Sequence, residues 1–151
     1  MSARSKARKQ TLDILYEADI RGTQPLDILA SRDVIEEGPD ARPIREYTRE
    51  LITGVSEHRR KIDELIATYA QGWDMDRLPA VDRNIMRLAL FEILWSEGLA
   101  DAIAIDEALA LAKELSTDES AGYIHGVLGR TAGYIHGVLG RIASIKDGLA
   151  L

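Results

Sequence analysis

Apolar residues return at intervals of three and four along most of the chain, the spacing of amphipathic helices rather than strands. Ala7, Thr11, Ile14, Leu15 and Ala18 fall at i, i+4, i+7, i+8 and i+11 and predict a first helix with one buried face. Four cations, Arg4, Lys6, Arg8 and Lys9, surround the start of that stripe in the opening turn or two of the same helix. Gly22, after Arg21, suits the left-handed position that closes a helix. Pro25 fits just inside a short second helix over roughly 25–36. The segment EEGPDARP, residues 36–43, holds two prolines and a glycine and is expected to be irregular.

Tyr47, Leu51, Ile52 and Val55 mark another helix face, which resumes at Ile62, Leu65, Ile66 and Tyr69. The run SEHRRK between them is polar, so the pattern fits two helices or one helix bent near residues 54–56. Gly72 and Trp73 lead into a loop, and Pro79 opens the next helix. In AVDRNIMRLALFEILWSE the apolar residues cover most of the circumference, which predicts a central, buried helix ended by Gly98. Ile105, Ala108, Leu109, Ala112 and Leu115 then form a stripe, and STDES (116–120) offers N-caps for a last helix. No strand run is bounded by turn signals. The prediction is six to eight helices in an all-α bundle, one domain over residues 1–151.

Composition narrows the setting. Hydrophobic residues make up 46% and charged residues 29% of 151, the balance of a folded soluble domain. With no cysteine, disulfides and thiolate metal sites are excluded, and a cytoplasmic location fits. No apolar signal region follows the basic start. IMRLALFEILW is interrupted by Arg87 and Glu92 and is too short to span a bilayer. Charge changes the picture more. The net charge is −6, yet residues 1–10 carry four cations and no acid, leaving −10 on the remainder from 15 basic and 25 acidic residues. An acidic body with a basic arm points to an anionic ligand, nucleic-acid phosphate first, with a merely solubilising terminus as the alternative.

Catalytic signatures are missing: there is no GxSxG, P-loop, HExxH or strand-borne GxGxxG. His125 and His136 stand eleven residues apart, about 16 Å along a helix, too far to share a metal. Asp106, Glu107, Asp118 and Glu119 read as solvated helix ends before they read as an acid–base pair. Tyr16, Tyr123 and Tyr134 are candidates for base stacking or for half-buried packing. Gly122 and Gly126, and their copies Gly133 and Gly137, would allow a neighbouring helix to approach closely.

LPAVDRNIMRLALFEILW followed by AIAIDEALALAKELSTDESAGYIHGVLG resembles the NusB family of bacterial transcription antitermination factors, and the likeness covers nearly the whole chain. RSKARKQTLDILYEADIRG is similar to the family's arginine-rich opening helix and GVSEHRRKIDELI to its middle; QGWDMDRLPAVDR has an actinobacterial character. The specific spacings are VDR-x3-R, IDEA-x3-AK and the closing GVLG. The resemblance implies a NusB-like bundle of about seven helices in two small subdomains, with no catalysis, cofactor or metal. It implies binding to single-stranded boxA RNA of ribosomal RNA leader transcripts, jointly with the ribosomal protein NusE, within an RNA polymerase antitermination complex. Monomer and homodimer both stay open. Carried over by position, the RNA surface comprises Arg4, Lys6, Arg8, Lys9, Tyr16, Asp82, Arg83, Glu119 and Tyr123, some of them near the NusE contact. His125 stands where the family usually has Asn, which places a bulkier, titratable group there.

The phrase AGYIHGVLGR occurs twice, at 121–130 and 132–141, separated by Thr131. The first copy follows STDES directly and is assigned to the last helix. Residues 131–151 are expected to extend that helix or to form a tail. A shift of eleven residues rotates a helix face by only about 20°, so Ile124, Leu128, Thr131, Ile135, Leu139 and Ile142 make one stripe. Two rival readings are a helical scaffold that binds protein alone and an RNA-binding module assisting a ribosomal RNA methyltransferase. The chain carries no methyltransferase motif.

Overall fold

The computed structural model describes residues 2–34, 43–70 and 72–148, with side chains described through residue 133. Seven α-helices follow in order: α1 (Ala3–Arg21), α2 (Pro25–Asp33), α3 (Glu46–Glu57), α4 (Arg59–Tyr69), α5 (Ala80–Trp95), α6 (Asp101–Leu115) and α7 (Asp118–Gly148). A 3-10 turn, Met75–Arg77, precedes α5. No strand occurs among the described residues, so the expected all-α bundle is the architecture found.

Local chemistry sets the boundaries. Ser2 caps α1 by accepting the Ser5 N–H, and Gly22 ends it at φ 68°, donating its own N–H to the Ala18 and Asp19 carbonyls. Pro25 opens α2, which stops at Asp33, short of the expected residue 36. Most of the predicted loop at 36–43 lies outside the described residues. The polar run after Gly54 does divide two helices. His58 leaves helical geometry at φ −107°, ψ 13° and both ends α3 and starts α4. At the start of α7, Thr117 Oγ1 accepts the Ser120 N–H at 2.9 Å.

The apolar pattern of α5 explains its place. Ile85, Met86, Leu88 and Leu90 are fully enclosed, and α5 touches α1, α3, α4, α6 and α7. On one side α1, α2 and α3 pack on one another; on the other α7 packs on α4 and α6. One continuous core joins the two groups, with Ile14, Leu15, Leu51, Ile52, Ile62, Ile66, Ile124 and Leu128 at its centre. Each such side chain contributes about 1.5–3 kcal/mol by leaving water.

Two expectations are corrected. Of the predicted α6 stripe, Ala108 and Ala112 are buried and Ile105 and Leu109 pack half-buried against the core, but Leu115 is 43% exposed, and Ala104 and Leu111 are buried beside them. α6 packs on α5 and α7 together, so the face it buries is the alanine-rich one shared by both. The Gly122 and Gly126 pair mediates no close helix contact: a side chain at Gly122 would meet open space, and one at Gly126 would meet only Arg130 of the same helix. Close approach occurs instead at Gly54, where any Cβ would collide with the Phe91 ring. α7 runs through both copies of the repeat. Ala121, Ile124, Val127 and Leu128 of the first copy are buried. The side chains of the remaining stripe members, Ile135, Leu139 and Ile142, and that of Tyr134 lie outside the described residues.

Candidate nucleic-acid interface

The basic opening of α1 divides between two faces, because successive helical residues are about 100° apart. Arg4 and Arg8, one turn apart, both turn toward Tyr47, Arg4 exposed and Arg8 buried. The Arg4 guanidinium lies 4.5 Å from the centroid of the Tyr47 ring. Arg8 is 3% exposed. Its Nε donates to Glu92 Oε1 at 2.8 Å and its Nη2 to Oε2 at 2.9 Å. Tyr47 donates its hydroxyl to the same carboxylate at 2.5 Å. Glu107 accepts from Ser5 Oγ at 2.8 Å and sits 3.5 Å from Arg8 Nη1. Burial alone would favour a neutral Arg8, but the hydrogen bond and charge of Glu92 outweigh it and raise its pKa above the ordinary value. Burial, together with the hydrogen bond and charge of Glu92, pushes the Tyr47 hydroxyl up to about 12.

Lys6, Lys9, Asp13 and Tyr16 share the other face, and all line a cleft of about 690 Å³. Arg32 from α2, Arg45 before α3, Val81 from α5 and Leu115 from α6 complete its walls. Four cations thus surround one carboxylate beside apolar and aromatic surface. Arg32 is held by Asp13 at 3.0 Å and Glu17 at 3.6 Å, and Lys9 is paired with Glu114. These contacts are at least partly solvated and weak. Lys6 and Arg45 have no ion pair among the described residues. Gln10 fixes the Arg45 end of the cleft: its Nε2 donates to the Pro43 carbonyl at 3.1 Å, and its Oε1 accepts from the Arg45 N–H at 3.0 Å and from Thr48 Oγ1 at 2.9 Å. Tyr16, 39% exposed, supplies a ring to the wall.

The other sequence-predicted positions are less open. Asp82 is 3% exposed and accepts from Ser116 Oγ at 2.8 Å. Arg83, 14% exposed, donates to Asp19 Oδ2 at 2.9 Å and to the Met75 and Leu78 carbonyls at 2.7 and 3.2 Å. Asn84 and Arg87 converge on the same Asp19 oxygen. Burial would raise the Asp19 pKa, but these bonds and charges hold it below the ordinary value. Glu119 is exposed in the first turn of α7, and Tyr123 is half-buried one turn later. The Tyr123 hydroxyl is shielded and has no hydrogen-bond partner among the described residues; burial raises its pKa, Asp82 adds to the rise and Arg130 opposes it. His125 is exposed.

The nine positions are therefore not one surface. Lys6, Lys9 and Tyr16 share the cleft, Arg4 sits exposed over Tyr47, and Glu119 and Tyr123 lie at the α6–α7 junction. Arg8, Asp82 and Arg83 are internal struts, because a desolvated charge is stable only beside partners that satisfy it.

The model of the NusB family matches residues 5–133. The chain belongs to the NusB family. It is 50% identical over 131 residues to the NusB transcription antitermination protein of Saccharopolyspora erythraea, covering 86% of each chain. It is 49% identical over 130 residues to that of a Nocardioides species, covering 85% of this chain and 93% of the relative. Among solved structures, T. maritima NusB superposes with a TM-score of 0.74 at 30% identity, over 87% of this chain and 92% of that one. A chain from the crystal structure of the antitermination factors NusB and NusE in complex with dsRNA superposes with a TM-score of 0.72 at 25% identity, over 87% and 96%. The NusB match ends two residues into the second copy of the repeat. Membership agrees with the resemblance read from the motifs, and no helix among the described residues is long and apolar enough to cross a membrane.

Sequence reasoning missed Gln10, Arg32 and Arg45 in the cleft, and Tyr47 and Glu92 on the other face of α1. For Glu92 a signal existed: a carboxylate inside LALFEILW must find a buried cation. For Arg32 and Arg45 there was none, since nothing local ties either to α1.

Proposed function

We propose that this NusB-family protein binds single-stranded boxA RNA of ribosomal RNA leader transcripts together with NusE. In that role it joins RNA polymerase antitermination complexes in the cytoplasm and suppresses premature termination. The observation that carries this reading is the cleft itself, in which Lys6, Lys9, Arg32 and Arg45 stand around Tyr16, Val81 and Leu115. Cations neutralise phosphates, and an exposed tyrosine offers a stacking face to an unpaired base. A relative that holds dsRNA and NusE in its own complex supports the choice of partners. The mechanism is binding without chemistry. Lys6, Lys9, Arg45 and Tyr16 contact RNA, Arg4, Glu119 and Tyr123 extend the surface, and Arg8, Asp82 and Arg83 hold the supporting helices in place. The second copy of the repeat extends α7 and takes no part in RNA binding.

The test is a titration of labelled boxA RNA, with a scrambled RNA alongside, with and without NusE and at two salt concentrations. Preference for boxA that NusE strengthens and salt weakens is expected. Equal affinity for both RNAs under every condition overturns the reading. Removing residues 132–142 should leave boxA affinity unchanged; a loss above tenfold would place the second copy in the interface.

A further inference from the structure

A second groove, of about 620 Å³, runs between α3 and α5, and its chemistry is the reverse of the first. Its floor is aromatic. The rings of His58 and Trp95 stack with centroids 4.0 Å apart and planes 10° from parallel. Phe91 lies 6.3 Å from Trp95 and 6.1 Å from His58. Gly54 makes the arrangement possible, because only hydrogen fits under the Phe91 ring.

Its wall is acidic. Glu46, Glu50 and Glu57 fall at i, i+4 and i+11 on one side of α3, and all three line the groove exposed. None has an ion pair among the described residues. Arg49, also in the lining, is already held by both oxygens of Asp33. Folding gains little from this pattern. Like charges one turn apart repel, and Glu57 sits in the last turn of α3, where the helix dipole disfavours an anion.

Unpaired carboxylates above half-buried ring surface match one kind of ligand group: a flat, weakly hydrated cation that stacks and donates several hydrogen bonds at once. We propose that this groove docks an arginine-bearing basic segment of a partner protein, with its guanidinium on the His58–Trp95 surface and its N–H groups on Glu50 and Glu57. Phosphate is repelled by the same carboxylates, which sets this groove apart from the cleft along α1. The arginines at the start of α1 in a second copy of the chain do not fit the role, because Arg4 and Arg8 are engaged by Tyr47 and Glu92.

The test uses the full chain carrying Trp73→Phe, which leaves Trp95 as the sole tryptophan of the two. The probe is the peptide acetyl-Gly-Arg-Gly-Arg-Gly-amide, with a second peptide bearing citrulline, the neutral near-isostere, in place of arginine. The expected result is a saturable change in Trp95 emission whose Kd rises at least tenfold with citrulline. It should rise at least fivefold in Glu50→Gln/Glu57→Gln, a pair of surface changes whose fold is checked by circular dichroism. Amide shifts should move along α3 and at the Trp95 indole. No saturable change, equal binding of citrulline, indifference to the glutamine pair or shifts confined elsewhere would each overturn the proposal. So would a short RNA that quenches Trp95 and binds better to the glutamine pair. The boxA titration reads the other cleft, so either proposal can fail alone.

Discussion

The cleft along α1 and the groove between α3 and α5 are similar in size, and α5 helps to line both, with Val81 near its start and Phe91 and Trp95 near its end. Their charges are opposite and are arrived at differently. The cleft is basic because helical phase sends Lys6 and Lys9 to one face and Arg4 and Arg8 to the Tyr47 face, and because α2 and the start of α3 bring Arg32 and Arg45 alongside. The groove is acidic because one helix repeats glutamate at its own period. The difference teaches that a run of charges in sequence predicts a charged surface only after the helix has sorted it. Of the four cations Arg8 is buried and Arg4 is turned onto Tyr47, whereas the spaced glutamates stayed together.

The most damaging test breaks the buried ion pair that ties α5, which lines both sites, to α1. Glu92→Ala should destabilise the protein by about 3–5 kcal/mol, since it strands the buried Arg8 guanidinium and takes the acceptor from Tyr47. Urea unfolding measures this, and a loss under about 1 kcal/mol would mean that Arg8 reaches water. Gly54→Ala separates the two sites. Its Cβ must displace Phe91, at a cost of about 1–3 kcal/mol for overpacking. Trp95 emission should change while boxA binding holds.

Lys6→Ala/Lys9→Ala should leave the urea midpoint unchanged but lower the dependence of log affinity on log salt by about 1.4, from about 0.7 per phosphate contact on a single strand. An unaltered slope would take both lysines out of the RNA interface. The smallest effect is at alkaline pH. The Tyr47 pKa is raised to about 12 in the folded protein. Its contribution is therefore fully present below the ordinary tyrosine value of about 10 and is lost as pH rises through 12. Tyr47→Phe should flatten that alkaline decline, followed by circular dichroism, and should leave the profile below pH 9 parallel to the parent.

Much of the fold was legible because period and punctuation agreed. The α1 stripe, Gly22, Pro25 and α5, apolar around most of its circumference, each follow from local rules that the structure keeps. The α6 stripe missed at its edge, taking in the exposed Leu115 and leaving out Ala104 and Leu111, because alanine and leucine alternate there and only contact with α5 and α7 decides which is buried. For the site, charge drew attention to α1 and the family resemblance to VDR, but burial, which is not local, turned Arg8, Asp82 and Arg83 into struts. The aromatic floor of the second groove was invisible for a related reason. His58 sits in a polar run, Trp95 at the end of an apolar one, and only the crossing of α3 and α5 stacks them.

The continuous α7 has a consequence at the level of the gene. A tandem duplication of eleven codons preserves reading frame, as any whole-codon duplication does. It also preserves helical phase to about 20°, where ten or twelve codons would have swung everything downstream by about 80° or 120°. The ribosome and the helix thus count in different units, and eleven is a number on which they agree. A copying slip of that length is read through by both, so helices of this kind are places where coding sequence can grow without first being repaired.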